Sequence, residues 1–233
     1  MTAPSVDPLA IPLPPLRAGD RLNQPTFHAR YERMPKKVKA ELVGGVVCMP
    51  SPLKANHGET HYGAILWLGT YQAATPGVRG ADNATVILGE FSEPQPDVAL
   101  RIVPESGGRC RLNAQGYLEG PPELLVEISV ASTDYDLNAK RLDYESLGVR
   151  EYLVVLPAEQ RVVWWVRRDG GFVELTPAAD GLYHSEAFPG LWLDAAALCR
   201  LDTTALLDGL RRGLASPEHT AFVASLRQRA AGG

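Results

Sequence analysis

Hydrophobic positions along the chain fall into short apolar or alternating runs separated by polar segments, a pattern typical of an α/β domain. The runs predict strands at 84–89, 96–103, 123–130, 151–157, 161–168 and 172–175. Because few residues separate the strands at 151–157 and 161–168, these two are expected to form an antiparallel hairpin. The segment ELVGGVVCMP predicts another hairpin, at 41–50, which turns at Gly44 and Gly45.

Helical spacing follows in three other segments. Residues 25–34 predict a short helix and residues 55–73 a long one. A third helix begins at the capping residues Ser132, Thr133 and Asp134 and ends at Gly148. Since this helix joins a buried strand to the next strand, we expect a mixed sheet flanked by helices.

The ends of the chain differ from this central region in composition. We expect a proline-rich arm at 1–20, the main domain at 21–205 and a helical tail at 206–233. Residues 216–233 are expected to be helical at best and to fray.

Composition and charge limit the possible classes of protein. With 45% hydrophobic residues and a formal net charge of −4, the chain predicts a globular protein and not a general nucleic-acid coat. Five basic residues cluster within 28–42: Arg30, Arg33, Lys36, Lys37 and Lys39. They predict either a local basic surface or simply a solvated helix and loop. Without a run of about 18 apolar residues or an export signal, a cytoplasmic location is expected.

Two carboxylates stand out on neighbouring strand predictions. Strand alternation places Asp97 opposite the aliphatic face of its strand, and Glu127 opposite Val126 and Ile128 in LLVEISV. If the strands are neighbours, the two carboxylates converge, and they then need a cation between them or a raised pKa. A divalent metal ion satisfies this requirement.

The helix after LLVEISV supplies a positive partner. Asp136, Lys140 and Tyr144 lie four residues apart, on one helical face. The short connection keeps that face close to Glu127, so Lys140 can point into the same cavity. Glu41, where the first hairpin begins, is expected as a further acidic or supporting residue.

These residues together resemble the PD-(D/E)XK restriction-endonuclease-like superfamily: Pro96-Asp97, then Glu127 inside a hydrophobic strand, then Lys140. More narrowly, the chain resembles the Uma-two family of endonucleases. The resemblance covers residues 20–200, through Glu41 with VGGVV, Ser51-Pro52 followed by His57, QPDVAL, PPELLVEISV, DYDLNAKRLDYESLGVREYLVV and FPGLWLD. It implies a restriction-endonuclease-like mixed central sheet with an added antiparallel hairpin.

The resemblance also implies roles for individual residues. Asp97 and Glu127 would bind Mg²⁺ or Mn²⁺, with the Ile128 carbonyl as a further ligand. The motif's usual lysine position is occupied by Ser129, so the resemblance assigns that role, orienting or activating the attacking water, to Lys140. His57 matches the family's histidine and would contact a phosphate or Glu41, and Tyr144 is a supporting residue.

Each residue also has a structural interpretation. Glu127 can form a buried ion pair with Lys140 or Arg101, and Asp97 can be a turn residue after proline. Lys140 can be a surface partner of Asp136. His57 can be a structural histidine, and His61 is interpreted as one.

The function predicted from these residues is metal-dependent hydrolysis of phosphodiester bonds in DNA. The alternative is a catalytically inactive nuclease-fold module that binds nucleic acid or a protein partner. A homodimer is expected, because the hairpin that carries Trp164 and Trp165 and the proline-rich arm would leave apolar surface exposed.

Overall fold

The computed structural model describes residues 13–49 and 54–232. The helices are α1 (Gln24–Tyr31), α2 (Ala55–Ala74), α3 (Arg141–Ser146), α4 (Ala195–Cys199), α5 (Thr203–Leu214) and α6 (Pro217–Gly232). A π-helical segment, Tyr135–Lys140, leads directly into α3. The strands are β1 (Glu41–Val43), β2 (Val46–Cys48), β3 (Val78–Asp82), β4 (Val86–Ile87), β5 (Val98–Ile102), β6 (Arg111–Leu112), β7 (Leu118–Glu119), β8 (Leu124–Ile128), β9 (Glu151–Leu156), β10 (Arg161–Arg168), β11 (Gly171–Glu174), β12 (Tyr183–His184) and β13 (Trp192–Leu193).

A six-stranded mixed sheet forms the centre of the fold, in the order β11-β10-β9-β8-β5-β3. Strands β8 and β9 are parallel, because the π-helical segment and α3 cross over between them, and the other neighbouring strands are antiparallel. The predicted hairpins are confirmed, with β1 paired to β2 and β9 paired to β10. The predicted mixed α/β architecture is therefore confirmed.

Helices and loops cover both faces of this sheet. One face packs against α2, α4, α5 and α6, around Trp67 and Trp164. The other face packs against α3 and the loop strands, around Tyr144 and Tyr152. In β8, Val126 faces the first cluster and Leu125 the second, so the predicted alternation is confirmed and Glu127 lies on the α3 side.

The structure corrects the sequence-based expectations in three places. The predicted strand at 84–89 is only Val86–Ile87, and it belongs to a separate three-stranded sheet with β7 and β6. Edge strand β3 was not predicted, because its sequence VRGAD is mostly polar and mostly solvent-facing. The tail is more regular than expected: α6 extends over Pro217–Gly232 and buries His219 and Leu226.

The β9–β10 hairpin, which carries Trp164 and Trp165, exposes less apolar surface than the sequence led us to expect. Trp164 is fully buried and packs edge-on against Trp67. Trp165 is partly buried on the other face and stacks on Tyr152. This hairpin therefore does not support the expected dimer, and residues 1–12 of the predicted arm lie outside the described residues. In the described part of the chain, no helix is long and apolar enough to cross a membrane.

Candidate active site

Lys140 lies at the centre of a buried polar cluster beside β8. Its Nζ atom lies 2.8 Å from Glu127 Oε1, and the Tyr144 hydroxyl donates to the same oxygen over 3.1 Å. The π-helical segment ends at Lys140 and α3 follows at once, so a single continuous helix carries both side chains to Glu127. Such π-helical turns are frequent at functional sites.

Two further carboxylates surround Lys140. Its Nζ lies 3.1 Å from Glu41 Oε2 and 3.8 Å from Asp136 Oδ1. The Gln95 main-chain N–H donates to the other Glu41 oxygen over 2.9 Å, which fixes the start of β1 against the loop before β5. Lys140 is 5% exposed, so it is not the surface partner of Asp136 that one interpretation of the sequence required.

Asp97 lies next to Glu127 across the β5–β8 pair. Val98 pairs with Val126, which places the residues before and after them side by side on the α3 side of the sheet. The Ile128 main-chain N–H donates to Asp97 Oδ2 over 2.7 Å, and His57 Nε2 lies 3.1 Å from the same oxygen. The structure thus brings together Asp97, Glu127, Lys140, Glu41, His57 and Tyr144.

Burial and the neighbouring charges together raise the pKa values of both Glu127 and Lys140. Burial, together with the carboxylates of Asp97, Asp136 and Glu41, raises the pKa of Glu127 well above its usual value, despite the opposing effect of Lys140. Burial alone would lower the pKa of Lys140, but its carboxylate neighbours hold that pKa well above the usual value. Lys140 is therefore an ammonium ion at neutral pH.

Asp97 behaves differently from Glu127. Burial opposes its ionisation, but the hydrogen bonds from His57 and Ile128 outweigh burial and lower the pKa of Asp97. Among the described residues, Asp97 Oδ1 and Glu127 Oε2 have no protein hydrogen-bond donor. Each carboxylate therefore has one oxygen available to a ligand.

The cluster opens into a pocket of about 560 Å³. Asp97, Ile128, Glu41, Asp136 and Lys140 are among the residues that line it. The exposed lysines of its rim are Lys37, Lys39 and Lys54. A phosphate group approaching the acidic floor would therefore first meet positive charge.

The oxygen donors suit a hard divalent cation. Asp97 and Glu127 offer carboxylate oxygens, and Asp97 and Ile128 line the pocket. Mg²⁺ and Mn²⁺ prefer such oxygen ligands and keep part of their water shell. A cation here would also offset the excess of carboxylates over the single ammonium group of Lys140.

Some site features were missed or lie elsewhere. Asp136 is 2% exposed and belongs to the cluster, although its sequence position indicated only a helical partner of Lys140. The contact of His61 with Asp97 was not predicted: its Nε2 atom lies 3.0 Å from the Asp97 main-chain oxygen, which is compatible with the structural interpretation of His61. Its spacing of four residues from His57 was the available signal.

Arg101 donates to the Cys110 carbonyl, and Arg30 pairs with Asp20 away from the basic rim. Ser51 and Pro52 lie outside the described residues.

Comparisons with known proteins agree with this geometry. A family model named Uma2, with the description "Putative restriction endonuclease", matches residues 26–196. Among solved structures, the chain is similar to a protein from Anabaena variabilis described as "a putative nuclease belonging to DUF820". The TM-score is 0.52 at 14% sequence identity, over 73% of this chain and 97% of that one. A search of curated proteins found no match.

Proposed function

Because the chain belongs to the Uma2 family and has a restriction-endonuclease-like fold, we propose that it is a metal-dependent endonuclease that hydrolyses phosphodiester bonds in DNA. One observation carries the proposal. Four buried carboxylates, those of Glu41, Asp97, Glu127 and Asp136, surround or adjoin one buried lysine, and the lysine lines an open pocket together with all of them except Glu127. These carboxylates outnumber the lysine, and a bound divalent cation would neutralise the excess of negative charge.

Asp97, Glu127 and the Ile128 carbonyl would hold Mg²⁺ or Mn²⁺. When bound, the cation supplies Lewis-acid stabilisation of charge on the phosphate and lowers the pKa of a bound water. Asp97 is held for this role by His57 and by the Ile128 N–H. Tyr144 and Lys140 hold one oxygen of Glu127 and leave the other to a ligand.

Lys140 acts in this proposal as a fixed ammonium ion. Its Nζ atom contacts Glu127 and Glu41, and Lys140 lines the pocket, so its ammonium group could orient a water molecule or a phosphate oxygen. Its raised pKa argues against a role as general base, which requires a pKa near the operating pH. Orientation and charge neutralisation are therefore the roles proposed for Lys140.

The lysines of the rim support a polyanionic substrate. Lys37, Lys39 and Lys54 are exposed around the pocket, while the chain as a whole carries a net charge of −4. Positive charge is thus concentrated where a DNA backbone would approach the acidic floor. Since each phosphate contact releases counterions, binding should weaken steeply as salt concentration rises.

The test is cleavage of supercoiled plasmid in Mg²⁺ or Mn²⁺ by the wild type and by Asp97→Ala. An exposed aspartate on α5, outside the pocket lining, provides a matched control, Asp208→Ala. We expect cleavage by the wild type and the control, and none by Asp97→Ala or in EDTA. Equal cleavage by Asp97→Ala would remove the proposed site. DNA binding without cleavage by the wild type would favour the inactive-module alternative.

The homodimer stays a prediction, for which a duplex substrate with two strands to cut is the remaining argument. Light scattering at micromolar concentration would show twice the chain mass of 25.2 kDa if the prediction is correct. A mass that stays at that of one chain, with and without DNA, would contradict it.

A further inference from the structure

A second group of potential metal ligands lies beside Asp97, on the first two turns of α2. His57 and His61 are four residues apart, so they project from the same side of the helix, and both are buried. His57 Nε2 lies 3.1 Å from Asp97 Oδ2. Each of the three residues offers one ligand atom, and these three atoms lie within 4.8 Å of one another.

Hydrogen bonds alone do not satisfy this group. His61 Nε2 lies 3.0 Å from the Asp97 main-chain oxygen and 3.1 Å from Asp82 Oδ1, but a neutral imidazole has only one N–H to share. In addition, His57 Nδ1 is buried and has no hydrogen-bond partner within residues 13–49 and 54–232. His57 therefore has bonding capacity that the described residues leave unused, and the single N–H of a neutral His61 can satisfy only one of the two oxygens that face its Nε2 atom.

We propose that His57, His61 and Asp97 bind a divalent transition-metal ion of the Zn²⁺ or Co²⁺ type, at a site separate from the oxygen site at Glu127. Imidazole nitrogens favour such ions, whereas Mg²⁺ prefers oxygen ligands. Asp82 lies at the exposed edge of the group and can add an oxygen ligand. Asp97 belongs to both sites, so the two cations influence each other's binding.

The histidine group overlaps the oxygen site at Asp97, which His57 also holds, so His61 is the member that belongs to the histidine group alone. Neither His57 nor His61 contacts Glu127 or Lys140 among the described residues, and the two histidine rings lie edge to face with centroids 5.7 Å apart. Substitutions at His61 can therefore be separated from substitutions at Glu127. This separation decides the design of the experiment.

The test is isothermal titration of the metal-free protein with Zn²⁺, for the wild type, His57→Asn, His61→Asn and Glu127→Gln. His184→Asn is the matched control, since His184 lies 3.3 Å from Asp180 on the surface without a second histidine. We expect one tight Zn²⁺ per chain in the wild type, Glu127→Gln and His184→Asn. Affinity should fall at least about 100-fold in each of the other two variants, because losing even an indirect ligand partner costs about 10–100-fold.

Two results would overturn the site. One is equal Zn²⁺ affinity in the wild type and in both His57→Asn and His61→Asn. The other is loss of Zn²⁺ binding in Glu127→Gln alone, which would place the cation at the oxygen site. If the histidine variants fail to fold, wild-type protein with ¹⁵N-labelled histidine gives the same answer. One equivalent of Zn²⁺ should then shift the ring signals of two of the five histidines, and a spectrum without such shifts refutes the site.

Failure here is distinguishable from failure of the proposed nuclease function. A protein that cleaves plasmid in Mg²⁺ but binds no Zn²⁺ at the histidines refutes only this inference. A protein that binds Zn²⁺ at the histidines but does not cleave refutes only the nuclease proposal.

Discussion

Glu127 and Glu151 are both buried glutamates on neighbouring strands, yet their surroundings differ. Glu151 accepts four hydrogen bonds from neutral donors: the N–H groups of Glu186 and Ala187, the Ser185 hydroxyl and the Trp164 indole. Glu127 has Lys140 and Tyr144 on one oxygen and, among the described residues, no donor on the other. Both carboxylate oxygens of Glu151 thus accept hydrogen bonds from the surrounding protein, whereas one oxygen of Glu127 has no donor among the described residues and is left for a ligand.

The comparison shows how a structural carboxylate differs from a candidate functional one. Burial disfavours the charged form of both groups and raises the pKa of both. A raised pKa alone therefore does not separate them. What separates them is the unused oxygen of Glu127, its crowding by other carboxylates and its position beside an open pocket.

The largest expected effect is that of Lys140→Ala. Removing the only ammonium group leaves Glu127, Glu41 and Asp136 buried without a cation, which should cost about 3–5 kcal/mol of stability in metal-free protein. Cleavage should fall at least about 100-fold, as expected for loss of a fixed charge at the reacting group. Denaturant unfolding and plasmid cleavage measure the two effects.

Lys140→Arg sharpens the same prediction. It keeps the positive charge, but the planar guanidinium does not fit the space of an ammonium group between three carboxylates. We expect stability closer to the wild type than in Lys140→Ala, with cleavage still strongly reduced. Full cleavage by either variant would contradict the role of Lys140.

The second effect is that of Glu151→Gln, which tests the fully hydrogen-bonded carboxylate. The amide nitrogen of glutamine cannot accept from Trp164 or Ser185, so we expect a loss of about 1–3 kcal/mol in the free energy of unfolding. Cleavage per folded molecule should be unchanged, because the hydrogen bonds of Glu151 are to Trp164 and to residues 185–187 and none is to Asp97 or Lys140. A variant that is as stable as the wild type but inactive would reverse the two assignments.

A smaller effect separates Asp97 from Glu127 in metal-free protein. Repulsion between adjacent carboxylates alone would predict that Asp97→Asn stabilises the protein. The hydrogen bonds that lower the pKa of Asp97 reverse this expectation, and Asp97→Asn should lose about 1 kcal/mol. Glu127→Gln should change stability less than Lys140→Ala does, because the ionised form of Glu127 is already disfavoured. Thermal unfolding in EDTA measures both changes. An Asp97→Asn variant more stable than the wild type, or a Glu127→Gln variant that loses as much stability as Lys140→Ala, would contradict these expectations.

The smallest effect is a pH dependence at Glu151. Burial raises its pKa from a usual value of 4.5 to about 7, so between these values the folded protein holds a proton that the unfolded chain has released. Stability from this group is therefore present below pH 4.5 and is lost as pH rises through about 7. The stability deficit of Glu151→Gln relative to wild type should shrink from pH 5 to pH 7.5. A constant deficit would contradict the shift.

Much of the architecture could be predicted because local patterns determine it. LLVEISV alternates between two apolar faces, and Gly44-Gly45 permits the positive φ angles of the β1–β2 turn. Strand β3 could not be predicted, since only its first residue is buried. The extent of helix α6 was not predicted, because Phe222 and Leu226 reach the core, and His219 reaches Thr75, only through contacts with distant parts of the chain.

In the candidate site, too, local sequence patterns predicted some features, whereas others depend on contacts between distant residues. Asp97 and Glu127 lie on paired strands, so strand alternation was enough to place them on one face. The π-helical geometry that buries Lys140 and Asp136, and the contacts of His61 with Asp97 and Asp82, depend on tertiary packing. The resemblance to a family, and not residue spacing, indicated the role of Lys140.

Parallel plasmid cleavage by the wild type, Glu127→Gln and Glu151→Gln in Mg²⁺ or Mn²⁺ tests the central claim most directly. Each variant removes one buried carboxylate, but only Glu127→Gln removes the carboxylate that has an oxygen without a hydrogen-bond donor among the described residues. The account predicts metal-dependent cleavage by the wild type and by Glu151→Gln, and none by Glu127→Gln at matched amounts of folded protein. Cleavage by Glu127→Gln at the wild-type rate would contradict the account.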